Sequence, residues 1–300
     1  MAALPLVFSR RYQAAISARH RFPMGKYGAV HAVLSARPWF SEVEIHRAAP
    51  ATLDQAARAH DLNYVERLVA GALSDREVRD IGLPQNASVV ARAFASAGGT
   101  LLACRLAKDA ATGLAASLAG GSHHANRAGG RGFCVMNDVG VALSTLLTEP
   151  NPWLKRALVV DLDVHQGDGT AEIFADEPRV FTASLHCQDN YPFTKAISDL
   201  DIGLPAGTGD SGYLPAVDQL LHRLDSVAIR ADTGSVARRR LPGNAASTVP
   251  IAMTAPPTHS HRIIGFTKTR ITATVPPGSA PGSRVRYTSF VKPVLTDGVP

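Results

Sequence analysis

The sequence predicts an α/β fold in which a parallel sheet is flanked by helices. Three observations carry that expectation. The run Ala157-Leu158-Val159-Val160 is short, apolar and β-branched at its centre, and it ends in Asp161 and Asp163. A buried parallel strand reads this way when it delivers polar side chains at its C-terminal end. A second strand-like run, Arg179–His186, follows after a short helical crossover over 169–175, which is the βαβ rhythm of a parallel sheet. Amphipathic helical patterns precede and follow this unit.

The helices are read from their spacing. Over Ala51–Leu73, Leu53, Ala56, Ala57, Leu62, Val65 and Leu68 recur at helical intervals, which predicts one helix. Ser88–Lys108 predicts a second, with Gly98-Gly99 at its centre marking a close helix contact. Asp138–Leu147 predicts a third and Pro215–Leu224 a fourth. A chain of 300 residues with 45% hydrophobic content can bury a large core.

The texture changes near Asp225. Residues 226–300 hold ten Lys/Arg against two acids, which leaves 21 basic and 23 acidic residues in 1–225. The last 75 residues also contain nine of the 20 prolines and no Glu. The expected organisation is a folded unit over 1–224 and an irregular, basic, Pro/Thr-rich tail over 225–300. Ile263–Ala273 is the one stretch of the tail with strand character. A basic tail is compatible with nucleic-acid binding, but no helix-turn-helix or zinc-finger pattern supports that reading.

Three cysteines in a chain of this length do not form a disulfide framework, and the expected compartment is the cytoplasm. No signal-peptide pattern and no run of 18 apolar residues is present, so no membrane association is expected.

Two clusters could do chemistry. The first is Gly120-Gly121-Ser122-His123-His124-Ala125, followed by Gly132-Phe133-Cys134-Val135-Met136-Asn137-Asp138. Adjacent histidines can act as general base and general acid when their surroundings separate their pKa values. The second is Asp161-Leu162-Asp163-Val164-His165-Gln166-Gly167-Asp168-Gly169, directly after the predicted strand. Asp163 and His165 offer a carboxylate oxygen and an imidazole nitrogen, two donors suited to zinc. Asp161 could serve as an acceptor behind them or help bind a monovalent cation.

In this order the two clusters resemble the histone deacetylase family, which includes acetylpolyamine amidohydrolases. His165-Gln166 is similar to the class IV branch and its bacterial relatives. Arg21-Phe22-Pro23-Met24-Gly25-Lys26-Tyr27, His60-Asp61-Leu62-Asn63-Tyr64-Val65, Ser184-Leu185-His186 and Leu204–Asp210 fit as well. The resemblance implies an arginase/deacetylase-like fold and zinc-dependent removal of acyl groups from lysine or polyamine amines. It implies that Asp163 and His165 hold zinc, and that His123 and His124 handle protons around the attacking water. It implies that Gly132 and Phe133 line the substrate tunnel, and that Asp161, Asp163, His165, Ser184 and Leu185 form a potassium site.

Two elements of that family pattern are missing. The third zinc ligand, an Asp in a Gly-Asp-Arg-Leu-Gly-like segment, would fall near Leu241–Ala255, which contains no Asp, Glu or Cys. The oxyanion tyrosine after a glycine run is missing too: Tyr287, the only tyrosine beyond Tyr213, follows Arg-Val-Arg. His259 and His261 are the tail's only imidazoles. The C-terminal part is thus aberrant or truncated relative to the family, and the loss of motif, acids and periodicity together suggests a shifted reading frame. Met253-Thr254 must be encoded ATG-ACN, and one shifted frame reads GAC, aspartate, there. The expected activity is therefore impaired. The alternative is a non-catalytic acyl-lysine- or metal-binding protein.

Overall fold

The computed structural model describes residues 4–232 and two short strands, Gly265–Thr267 and Phe290–Lys292. Two sheets form the frame. In the first, β1 (Leu4–Val7) runs parallel to β2 (Val43–His46) on one side and β3 (Ala116–Ser117) on the other. The second has the order β6-β5-β4-β7-β8, with β4 (Ala157–Asp161), β5 (Val180–Cys187) and β6 (Leu200–Leu204) all parallel. The parallel α/β architecture expected from the sequence is what is found.

The central strands fall where the β-branched runs placed them. β4 stops at Asp161, so Asp163 and His165 lie in the loop beyond the strand. The crossover is α7 (Asp168–Ile173), a single short helix. From the tail, β7 (Gly265–Thr267) adds to β4 through the pairing of Phe266 with Asp161, and β8 (Phe290–Lys292) pairs antiparallel to β7. β7 lies inside the stretch expected to have strand character. The helix expected over Pro215–Leu224 begins earlier and ends later, as α8 (Asp210–Asp232), and so crosses the compositional boundary at Asp225. The rest of the tail, with the missing-ligand region, His259, His261 and Tyr287, lies outside the described residues.

The single helix expected over Ala51–Leu73 is a pair. α2 (Leu53–Ala59) starts with a capping box in which Thr52 and Gln55 satisfy each other's backbone N–H groups. It ends at His60, whose backbone is extended, and α3 (Leu62–Ala70) begins beyond Asp61. The cause is tertiary. The His60 ring is 1% exposed, and its Nδ1–H donates to the Asn126 carbonyl at 2.6 Å while Nε2 accepts the Asn137 N–H at 3.0 Å. Helical spacing continues through the break because both helices bury the same side of the chain against one core.

α5 (Ala87–Asp109) is the long central helix, packed on α6 (Asp138–Thr148) and β1. It is apolar and long enough to cross a membrane, but 67% of its most apolar window is buried inside the protein. Gly98 and Gly99 do mark a close contact, though not with another helix. A Cβ on Gly98 would lie 2.0 Å from the Ala49 carbonyl oxygen, and one on Gly99 would lie 2.2 Å from the Tyr12 hydroxyl. The sequence reading missed β1, β2, β3 and β6, along with α1 (Lys26–Ser35) and α4 (Asp75–Ile81). All six of these elements are ten residues or fewer with little periodicity to read, and β3 is only two residues long.

Candidate active site

Three segments meet beyond the C-terminal end of β4. They are the loop after β3, the loop joining β4 to α7, and the loop after β5. The loop after β3 carries His123 and His124. It is anchored by the last two residues of the Gly-Phe-Cys-x-x-Asn-Asp motif. Asp138, fully buried, accepts the backbone N–H groups of Gly121 at 3.2 Å and Ser122 at 2.8 Å, and the Thr100 hydroxyl at 2.5 Å. Asn137 caps α6 through the Gly140 N–H at 2.8 Å, and its amide donates to the Ala125 carbonyl and the Thr170 hydroxyl, each at 3.0 Å. That part of the motif is structural: it aims the histidines.

Each histidine faces its own carboxylate. His123 Nδ1 lies 2.5 Å from Asp161 Oδ2, and His124 Nδ1 lies 2.6 Å from Asp168 Oδ1. A carboxylate only accepts, so Nδ1–H donates in both pairs and Nε2 carries the lone pair. The two rings are 4.1 Å apart, and both residues are buried. Burial above all, then the neighbouring His123 and His165, push the His124 pKa down to about 4 against the pull of Asp168. At neutral pH His124 is therefore an uncharged imidazole.

The structure brings Asp163 and His165 together in the loop beyond β4. His165 Nδ1 is 3.0 Å from Asp163 Oδ1, which also accepts the His165 backbone N–H at 2.8 Å. Asp161 Oδ1 accepts the Asp163 N–H at 2.9 Å. His123 Nε2 stands 4.0 Å from Asp163 Oδ1, so the histidine pair and the two candidate ligands share one space. Zinc normally takes three protein donors at a catalytic site. No group of three or more His, Cys, Asp or Glu side chains placed to hold a metal is found among the described residues. The described residues supply two suitable donors and so do not complete a zinc site.

The candidate potassium residues are neighbours by register, since Asp161 pairs with Ser184 across β4 and β5 and Leu185 follows. The Ser184 hydroxyl is within 3.0 Å of His186 Nδ1.

Gly132 touches the site directly. A Cβ there would lie 2.7 Å from His124 Cδ2 and 3.0 Å from Tyr191 Cε1, and its φ is +57°. Only glycine meets both conditions without strain. Phe133 also adopts a positive φ, +66°, held by Phe133 N–H to the Ile81 carbonyl at 2.7 Å and Gly132 N–H to the Asp80 carbonyl at 2.9 Å. A non-glycine residue kept in this region stores strain, and here it turns the Phe133 ring toward Phe22, 5.3 Å between centroids.

Three residues of the site were not given roles from the sequence. Asp168 stood inside the second motif, and its function as the His124 acceptor needed the fold. Arg131 Nη2 binds Asp168 Oδ2 at 2.9 Å and Glu172 Oε1 at 2.6 Å, while Nε donates to the His124 carbonyl at 2.9 Å. Its only sequence signal was its place before Gly132. Tyr191 lies edge-on to His124 at 4.9 Å and 6.1 Å from His165, and it arrives from a loop with no motif.

Comparisons with known proteins point to one family. The family model described as the histone deacetylase domain matches residues 20–227. An uncharacterized protein of Picosynechococcus sp. is 42% identical over 74% of this chain and 72% of its own length. Histone deacetylase 2 of Arabidopsis thaliana is 26% identical over 74% of this chain, and a probable deacetylase of Archaeoglobus fulgidus is 32% identical over 57%. The chain spans 59% and 50% of those two relatives' lengths. Among solved structures, an HDAC homolog from Aquifex aeolicus superposes with a TM-score of 0.62 at 22% identity, covering 76% of this chain and 66% of that one, which supports the fold. With a domain match over residues 20–227, the chain belongs to the histone deacetylase family.

Proposed function

We propose that the chain is a deacetylase-type amide hydrolase by descent, acting on acylated lysine or polyamine amines, with its activity impaired in this form. The observation that carries this reading is the pair of His–Asp couples, His123–Asp161 and His124–Asp168, set beside Asp163 and His165. A neutral imidazole with its Nδ1–H fixed by a carboxylate can take a proton from water at Nε2 and return it to a leaving amine. His124 has both features. Gly132, Phe133 and Tyr191 would form the wall against which an acyl-lysine chain lies. Asp163 and His165 would be two zinc ligands, and potassium at Asp161, Ser184 and Leu185 belongs to the same proposal. The three cysteines, none of them in a disulfide, fit a cytoplasmic setting.

The impairment follows from the donor count. Two protein ligands hold zinc more weakly than three, and loss of an oxyanion donor alone costs ~10²–10³ in rate. The test is hydrolysis and binding of an acetyl-lysine peptide by the purified 300-residue chain, with His124→Ala and a chelator as controls. Saturable binding with slow, measurable turnover supports the proposal. Turnover at an ordinary enzymatic rate that both controls abolish would show a complete active site, and the claim of impairment would fail. Absence of both binding and turnover from a folded chain would sink the functional reading. Binding without any turnover at high enzyme concentration would favour the non-catalytic acyl-lysine-binding alternative.

A further inference from the structure

Phe133 has neighbours of a second kind beyond Phe22. The guanidinium carbon of Arg21 sits 4.7 Å from its ring centroid, and the His20 ring meets it edge-on at 6.0 Å. Phe22, which packs on Phe133, carries Lys26 Nζ at 4.7 Å and Arg92 at 5.4 Å from its own centroid. Cations therefore surround the Phe22–Phe133 pair.

These cations differ in what they do. Arg92 is 4% exposed and fully engaged, with Nε donating to the Tyr12 carbonyl at 3.1 Å and Nη2 to the Tyr27 hydroxyl. Arg21 and Arg19 are exposed, and neither forms an ion pair among the described residues. Their segment is nonetheless fixed. His20 N–H donates to the Ser17 carbonyl at 2.9 Å, Phe22 N–H donates to His20 Nδ1 at 3.0 Å, and Met24 N–H donates to the Phe22 carbonyl at 2.8 Å. The acid beside Phe133 is Asp80, on α4, and its carboxylate already faces Arg76 at 3.8 Å. At the rim Arg21 is thus held against Phe133 and forms no ion pair among the described residues.

We propose that Arg21 makes the Phe133 rim select acyl-amine substrates whose neighbouring groups are anionic, such as an acyl-lysine flanked by Asp or Glu, and disfavour polycationic carriers such as acylated polyamines. This rests on the functional reading above, because it takes Gly132 and Phe133 as the wall of the acyl-lysine channel. A guanidinium stacked on a ring keeps its N–H edge free, and that edge matches a carboxylate with two parallel hydrogen bonds. A second cation brought to the same place meets repulsion instead.

The experiment uses calorimetric binding of three acetyl-lysine peptides of equal length to the full chain at low salt. One is flanked by Asp, one by Gly and one by Arg. The acidic peptide is expected to bind about fivefold or more tighter than the basic one, the range for one or two partly exposed charge pairs. The ratio should shrink toward unity in Arg21→Gln, recover in Arg21→Lys, and fall as salt rises. Arg37→Gln changes net charge equally at an exposed site at the end of α1, and it should leave the ratio as it is. Binding of the neutral peptide with no charge preference, or with a preference that Arg21→Gln does not change, overturns this proposal alone. Binding of none of the three overturns it together with the functional reading.

Discussion

Arg131 Nη2 lies 2.9 Å from Asp168 Oδ2, and the opposite oxygen of that carboxylate takes the Nδ1–H of His124 at 2.6 Å. One buried acid therefore joins the loop that carries Gly132 to the imidazole that Gly132 touches. Removing the acid leaves the His124 Nδ1–H without its acceptor and takes one of two carboxylates from Arg131, which keeps Glu172 and the His124 carbonyl. Asp168→Ala should destabilise the fold by about 2–3 kcal/mol, because a buried donor loses its acceptor and a half-buried cation loses one of its two carboxylates. Urea denaturation of the variant checks this. A loss under 1 kcal/mol would mean that water or Glu172 replaces Asp168.

Gly132→Ala tests the closest approach in the site. The new methyl would meet His124 Cδ2 at 2.7 Å, at a φ of +57°. The combined strain is expected to cost about 1–3 kcal/mol and to displace the imidazole. Thermal denaturation reads the first effect, and the NMR shifts of the His124 ring read the second. Unchanged ring shifts would argue that the loop yields and the histidine does not.

The pH dependence of stability should carry the mark of His60. Burial is the main cause that lowers its pKa from 6.5 to about 4, and the hydrogen bond to the Asn126 carbonyl only partly opposes it. The unfolded chain therefore binds a proton near pH 6.5 that the folded chain refuses until about 4. Stability is fully present above the unfolded value and falls as pH drops through that window. The largest loss is on the order of 3 kcal/mol at 1.36 kcal/mol per pKa unit. Denaturant midpoints measured from pH 7.5 to 4 should slope accordingly, and the slope should be shallower by up to one proton in His60→Gln.

The legible part of this molecule was the part built by local pattern. The β-branched run before Asp161 announced β4, and the two polar motifs announced the site, because those residues are adjacent in sequence and short loops carry them. The break at His60 was not legible. It depends on carbonyl and amide groups of Asn126 and Asn137, more than 60 residues away in sequence. Tyr191 was hidden for the same reason, since it reaches His124 from the loop after β5, while Arg131 lies close to His124 in sequence and its role depends on Asp168 from another loop. Gly98-Gly99 could be read as a close contact, but not that its partners were Ala49 and Tyr12.

The break in composition after Asp225 makes a prediction about the gene. If the tail arises from a shifted frame, resequencing the 3′ end should show a one- or two-base difference upstream of codon 253, restoring GAC across Met253-Thr254. An unbroken frame encoding this same tail would remove the idea.

Zinc binding decides whether the tail matters to the site. Asp163 and His165 give two donors within 3.0 Å of each other, and the tail offers only His259, His261 and Asp297 as further ligand types beyond Asp232. A two-donor site should bind zinc at least 100-fold more weakly than a complete one, since loss of an outer partner alone costs 10–100-fold. Titration of the metal-free chain with zinc should then show weak binding that disappears in Asp163→Ala and in His165→Ala. Tight, one-to-one binding would require a third ligand, and the variants His259→Ala and His261→Ala would locate it. If either abolished tight binding while the fold persisted, the tail would have replaced the missing aspartate with an imidazole. The donor set would then be one carboxylate and two imidazoles, a combination that catalytic zinc accepts, and the case for impairment would rest on the absent tyrosine alone.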